Sequence, residues 1–163
     1  MPAEKLISQE YLREFLLRDF DLHNLSSNYS THNFHSFPAK FPPQLPRSFI
    51  SEFTKKGETI LDPMVGSGTT ILEAFLLGRK SIGIDLDPLA LLISKVKTTN
   101  IEINALIKEF KEVQQIAQAK LSNKSELTHE MESFFDKETK EFINNWFLLP
   151  TQYELFALIQ AIN

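Results

Sequence analysis

The chain has 163 residues, 42% of them hydrophobic, and a formal net charge of −4 at pH 7. That length and apolar content suit one small packed domain and exclude a disordered segment. The lack of cysteine excludes disulfides and thiolate metal sites, no apolar run approaches the roughly 20 residues of a membrane span, and the acidic balance is unlike the basic surface of most nucleic-acid binders.

The opening Met1-Pro2-Ala3-Glu4-Lys5 leads into no apolar core of a secretory leader, so a cytoplasmic protein is expected. Leu12, Phe15 and Leu16 recur at helical spacing and predict a short amphipathic helix over 8–18. Asp19 to Thr31, rich in Ser and Asn, predicts a loop. His32 to Pro43 carries three prolines and three phenylalanines, so a stiff, extended strip is expected. From Pro43 the chain turns helical, with Leu45, Phe49, Ile50 and Phe53 on one side and Gly57 as the expected C-terminal cap. Strands are expected at Thr59–Leu61 and Ser81–Ile84, and between them a helix that Gly78-Arg79-Lys80 closes. Another helix should start beside Asp87 and Pro88 and run to about Lys97.

Asn104 to Leu121 predicts a long amphipathic helix, and Ser122 to Thr128 a loop. A single helix from Met131 to Phe147 is expected next, with Trp146 among the core residues and Pro150 as its stop. Thr151 and Glu154 then form a capping-box pair for a last helix. The alternating Lys and Glu of 108–112 and 137–141 predict solvated helix faces. Two parallel strands are too few to stand alone. The 163 residues are therefore expected to be the first part of a longer domain, or one half of a split one.

The densest chemical signal is Thr59-Ile60-Leu61-Asp62-Pro63-Met64-Val65-Gly66-Ser67-Gly68-Thr69-Thr70. A strand ends at Asp62, and two glycines one residue apart allow a sharp turn and close approach to a ligand. A helix then starts at Thr69, and its free N–H groups favour an anion. Asp85 follows Gly66 by 85 − 66 = 19 positions, near the spacing of about 20 at which an acid meets ribose hydroxyls in nucleotide-binding βαβ units. A P-loop requires Gly-Lys-Ser/Thr, but Thr69 follows Gly68 directly. The dinucleotide fingerprint requires a third glycine where Ile71 stands. The remaining candidate is S-adenosyl-L-methionine, which carries a ribose and a carboxylate but no phosphate.

Asp62-Pro63-x-x-Gly66-Ser67-Gly68-Thr69-Thr70, Gly78-Arg79 and Ile82-Gly83-Ile84-Asp85-x-Asp87-Pro88 together resemble one family. They are similar to the cofactor half of the amino-methyltransferases that modify DNA at adenine N6 or cytosine N4, over about Thr31 to Lys97. The resemblance implies an α/β, Rossmann-like class I methyltransferase fold, incomplete within these residues and with extra helices at the C-terminal side. It implies one cofactor-binding domain or part-domain over 1–163: an N-terminal helix and loop to 30, a binding core over 31–100, and a helical segment over 101–163.

It also implies roles. Asp62, Pro63 and the Gly66-Ser67-Gly68-Thr69 loop with Thr70 would hold the methionine part. Asp85 would accept hydrogen bonds from both ribose hydroxyls, and Leu86 would lie against the adenine. Met64 stands where family members usually have an aromatic residue; its flexible thioether can substitute there. The His35–Pro43 strip resembles the family's segment that closes over the methionine end, with Lys40 as a charge partner for the carboxylate and Phe41 beside it. Asp87 has helix capping as its simplest role. His32 and His35, without clustered acids, define no metal site.

The family's catalytic element is an Asp, Asn or Ser followed by Pro-Pro and an aromatic, which orients the target amine and stacks on the flipped base. Here Pro42-Pro43 is preceded by Phe41 and followed by Gln44, so no residue is assigned as catalytic. The expected function is the cofactor-binding part of a DNA methyltransferase, with DNA contacted through parts outside the chain. Two alternatives stay open: a non-catalytic subunit completed by a second polypeptide, and part of an RNA methyltransferase.

Overall fold

The computed structural model describes residues 8–18, 20, 22 and 25–163. The start at Met1–Lys5 lies outside them, as do Asp19, Asp21, His23 and Asn24 of the expected loop. The chain forms two compact units that meet in sequence at Thr99 and Asn100.

In the first unit, helix α1 spans Gln9–Leu16, and Ser8 caps it by accepting the Tyr11 N–H at 3.1 Å. Its buried Phe15 meets Phe49 and Phe53 edge-on, with centroids 5.0 and 4.7 Å apart. Those rings belong to α2, Gln44–Phe53, which begins after Pro43 and carries Pro46 in its first turn. The helix ends earlier than expected, at Thr54. Gly57 is not its cap. With φ at +87° it makes the turn into strand β1 and donates its N–H to the Gly78 carbonyl at 2.9 Å.

Strand β1 is Thr59–Asp62, helix α3 is Thr69–Leu76 and strand β2 is Lys80–Gly83. The strands pair in parallel, Thr59 opposite Lys80 through Asp62 opposite Gly83. α3 lies between them in sequence and touches both strands, α2 and the following helix α4, Pro88–Thr98. Its Ile71, Leu72 and Ala74 join Ile50, Val65, Ala90 and Ile93 in the core. Arg79 ties the ends of α2 and α3 together by donating to the Thr54 carbonyl at 2.7 Å and the Leu77 carbonyl at 2.6 Å. Leu61 and Ile82, opposite each other in register, are exposed, as is Ile84 two positions on. Alternation puts all three on one face of the sheet. This is an α/β unit with a two-stranded sheet.

The second unit is helical: α5 Ile103–Ser122, α6 Lys124–Phe134, α7 Lys137–Trp146 and α8 Leu149–Ile162. Its core is Ala117, Leu127, Phe156 and Ala157. Expectations fail here at three helix starts. Ser122–Thr128 is not a loop: Asn123 alone breaks the helix and caps the next by accepting the Glu126 N–H. The helix expected over Met131–Phe147 is two, because the Asp136 carboxylate accepts the Thr139 N–H at 2.7 Å and starts α7. Pro150 does not stop a helix but occupies the first turn of α8, which Leu148 precedes. Thr151 and Glu154 are therefore interior and form no capping box. Trp146 is not core either; it is 72% exposed. No helix among the described residues is long and apolar enough to cross a membrane.

Candidate functional site

The site is built where β1 and β2 end. Asp62 closes β1, and its Oδ1 accepts the Met64 N–H at 3.1 Å, which bends the chain away from the strand. Val65 N–H then reaches the Ile84 carbonyl at 2.9 Å and extends the ladder by one rung. Gly66 and Gly68 both have positive φ, +48° and +82°. Gly68 is the N-cap of α3, and a Cβ there would lie 2.8 Å from Ser94 Oγ, so α4 leaves no room for a side chain. Ser94 Oγ donates to the Gly66 carbonyl at 2.8 Å and fixes the loop from below.

Asp85 lies just past the end of β2 and reaches across to this loop. Its Oδ2 accepts the Gly66 N–H at 2.8 Å and its Oδ1 accepts the Asp87 N–H at 3.0 Å. The Asp87 and Gly66 N–H groups hold the carboxyl below the ordinary aspartate range. Each oxygen keeps a lone pair for a further donor. Leu86 beside it is 102% exposed and Met64 is 84% exposed, so open apolar surface flanks the carboxylate. Asp87 caps α4 through the Leu89 N–H at 2.9 Å, the simpler of its two roles.

The His35–Pro43 strip is bent rather than extended. Pro38 and Ala39 form a turn with Ala39 at φ +57°, and the Lys40 ammonium returns to donate to the His32 and His35 carbonyls at 3.3 and 3.1 Å. Prolines restrict their neighbours but do not prevent a reversal between them. Lys40, Phe41, His32, Asn33 and Thr69 line a cavity of about 190 Å³, several times the roughly 30 Å³ of one water in the liquid. Thr69 is the first residue of α3, so a helix N-terminus opens there. The Phe37 ring lies over Gly66; a Cβ on that glycine would come within 3.6 Å of it.

Asp62, Gly66, Ser67, Gly68, Thr69 and Asp85 thus sit around one loop, and Lys40, Phe41 and Thr69 share one cavity. Sequence reasoning missed Glu73, Arg47 and Lys97. Glu73 is fully buried, with His32 Nε2 at 2.7 Å, Tyr29 Oη at 2.6 Å and Arg47 Nη1 at 2.9 Å. Burial alone would raise its pKa, but these three hydrogen bonds and the Arg47 charge hold it below the ordinary glutamate range. One acid between Ile71-Leu72 and Ala74-Phe75 was the available signal. Among the described residues no cluster of His, Cys, Asp and Glu could hold a metal.

Residues 17–96 match the family model described as DNA methylase, of the N6/N4 type. Over those residues the chain is similar to the N6/N4 DNA methylases. Type II methyltransferase M.BsoBI of Geobacillus stearothermophilus is 36% identical over 127 residues, covering 74% of this chain and 25% of its own length. Type II methyltransferase M.MjaII of Methanocaldococcus jannaschii is 33% identical over 113 residues, 68% of this chain and 21% of its own. The chain thus spans about a quarter of the length of the curated relatives it matches. A solved structure described as a putative DNA modification methylase of Thermus thermophilus, complexed with S-adenosyl-L-methionine, is 27% identical over 56% of this chain and 37% of its own, with a TM-score of 0.35.

Proposed function

We propose that residues 31–100 are the S-adenosyl-L-methionine-binding core of a DNA methyltransferase that modifies an exocyclic base amine, adenine N6 or cytosine N4, on a class I methyltransferase fold. The observation that carries this is the Asp85 carboxylate bonded to the Gly66 N–H at 2.8 Å, with the exposed Leu86 next to it in the chain and a cavity lined by Lys40, Phe41 and Thr69 where the same loop enters α3. The donor set suits the cofactor. Asp85 keeps acceptor capacity for two ribose hydroxyls, Leu86 offers apolar surface for the adenine, and Met64, Lys40 with Phe41, Thr69 and the Gly66–Gly68 loop suit the amino-acid end. Asp62 and Pro63 hold the loop's entry, and Ser67 and Thr70 complete its wall.

When bound, the cofactor supplies an electrophilic methyl group on a sulfonium. The chain's own part is to bind and orient it. Asp85 fixes the ribose, the Lys40 ammonium and the α3 N-terminus counter the carboxylate, and the two glycines leave room for close approach. No residue of the 163 carries the polar-Pro-Pro-aromatic element that orients a target amine. The base is therefore presented by residues outside these, on the same polypeptide or on a second one. The exposed Leu61, Ile82 and Ile84 favour further protein packing on that face of the sheet. DNA is the expected substrate class, held by surfaces outside a chain of net charge −4.

The test is binding of S-adenosyl-L-homocysteine and NAD to the 163-residue chain by calorimetry, paired with incorporation of labelled methyl into mixed-sequence DNA. Binding of the first ligand and not the second, with no incorporation by this chain alone and transfer on adding a polypeptide that carries the missing element, is expected. Preference for NAD overturns the cofactor assignment, and incorporation by this chain alone places a catalytic group within it.

A further inference from the structure

Glu73 is an expensive residue to place on the buried side of α3, beside Ile71, Leu72 and Ala74. A carboxylate with no solvent contact gains little net stability over an apolar residue of the same size, however well it is bonded. Its three partners share one origin: Tyr29, His32 and Arg47 all come from 29–47, the stretch that carries the Lys40 cavity. An ionised Glu73 can only accept, so His32 Nε2 bears the proton of the 2.7 Å bond.

The other end of His32 has a second task. Its carbonyl accepts from Lys40 Nζ at 3.3 Å and from Lys97 Nζ at 3.4 Å. Lys97, itself buried, also donates to the Ser67 carbonyl at 2.8 Å in the glycine loop. Neither ammonium has a carboxylate within ion-pair distance among the described residues. Two positive charges therefore converge on one oxygen beside the cavity, and each keeps a donor to spare. Ser67 Oγ, in the same loop, is buried without a hydrogen-bond partner among the described residues. An anion at this place would satisfy groups that the protein leaves uncompensated.

We propose that Glu73 is a positioning residue which, by holding His32, fixes the Lys40 ammonium at the cavity for a carboxylate on the ligand. This rests on the cofactor assignment above and goes one step deeper. Glu73 touches no ligand. It sets the backbone of His32, the His32 carbonyl orients Lys40, and Lys40 meets the carboxylate of the methionine part. Lys97 holds the same carbonyl to the glycine loop, so the strip and the loop move as one.

The test uses the 163-residue chain and two ligands that differ at the amino-acid end. S-adenosyl-L-homocysteine carries the carboxylate; 5′-methylthioadenosine carries the same adenosine without it. Glu73→Gln keeps the volume and removes the charge. It should weaken the first ligand about tenfold, the size expected for one charge-assisted bond, and leave the second unchanged. Lys40→Met, at an exposed position, should do the same, and the double variant should be no weaker than Lys40→Met alone, because residues acting in series are not additive. Should Glu73→Gln lose helical signal, His32→Asn cuts the same link from the other side and is read by the same criterion. Equal loss for both ligands, or additive losses in the double variant, would assign Glu73 to folding alone and overturn the proposal. Wild-type binding of both ligands with no effect of either variant overturns it while leaving the cofactor assignment intact. Wild-type binding of neither ligand removes both.

Discussion

The Oδ2 atom of Asp85 accepts the N–H of Gly66 at 2.8 Å, joining positions 19 apart in sequence. The acid that ends one strand thus holds the turn that ends the other, and the loop is shaped before any ligand arrives. Preorganisation of this kind lowers the ordering cost of binding.

Asp85→Ala therefore removes two things at once, an acceptor for the ribose and a strut for the loop. S-adenosyl-L-homocysteine affinity should fall by at least tenfold. Asp85→Asn keeps acceptor oxygen and should fall less. Calorimetry on the pair measures the difference, and equal affinity for Asp85→Ala and wild type would remove the ribose assignment.

Gly66→Val sets a β-branched residue at φ +48° with the Phe37 ring within 3.6 Å of its Cβ. Ligand binding should disappear while far-ultraviolet circular dichroism stays close to wild type, since the helices do not depend on that turn. Normal binding by this variant would make the loop purely structural.

How much of this was legible beforehand divides along a physical line. The turn and the capping role of Asp87 follow from backbone rules that act within a few residues, and Asp85 from the fixed length of one strand–helix–strand unit, so the motif alone located them. Glu73, His32, Lys97 and Arg47 meet across 26 to 65 positions, and no local pattern brings them together. The bent Pro38–Ala39 strip was missed for the same reason: Lys40 reaching back to His32 decides its path, not proline stiffness. In the second unit the errors lie at Asn123 and Asp136, single capping residues inside continuous apolar periodicity. The pattern there reads as unbroken helix, and only a cap bond reveals the break.

The Tyr29–Glu73 pair makes stability depend on pH at both extremes. The folded pKa of Glu73 lies below its ordinary 4.5. Its contribution is complete above that value and is lost as pH falls through the folded pKa. Burial, then the Glu73 hydrogen bond and its charge, push the Tyr29 hydroxyl from 10.0 up to about 12. That contribution is present below pH 10 and is lost as pH rises towards 12. Urea midpoints should fall in both windows, and Glu73→Gln should flatten the alkaline one. An unchanged alkaline limb in that variant would separate Tyr29 from Glu73.

Trp146 is the single tryptophan of the chain and is mostly exposed on α7. Iodide should quench its fluorescence nearly as well as that of free indole. Strong protection would return Trp146 to the core and require α7 to be rotated.

The sheet has a bearing on how the protein behaves in a test tube. Among the described residues β1 and β2 pair only with each other, so each strand keeps one flank of amide and carbonyl groups without a neighbour, and Leu61, Ile82 and Ile84 meet water. An uncovered flank beside an apolar face is a template for accretion by like molecules. Solubility of the 163-residue chain should accordingly decline with concentration well before its fold fails. A charge placed at Ile82 should raise the attainable concentration, because a single lysine there interrupts the sticky strip while the glycine turn stays as it was.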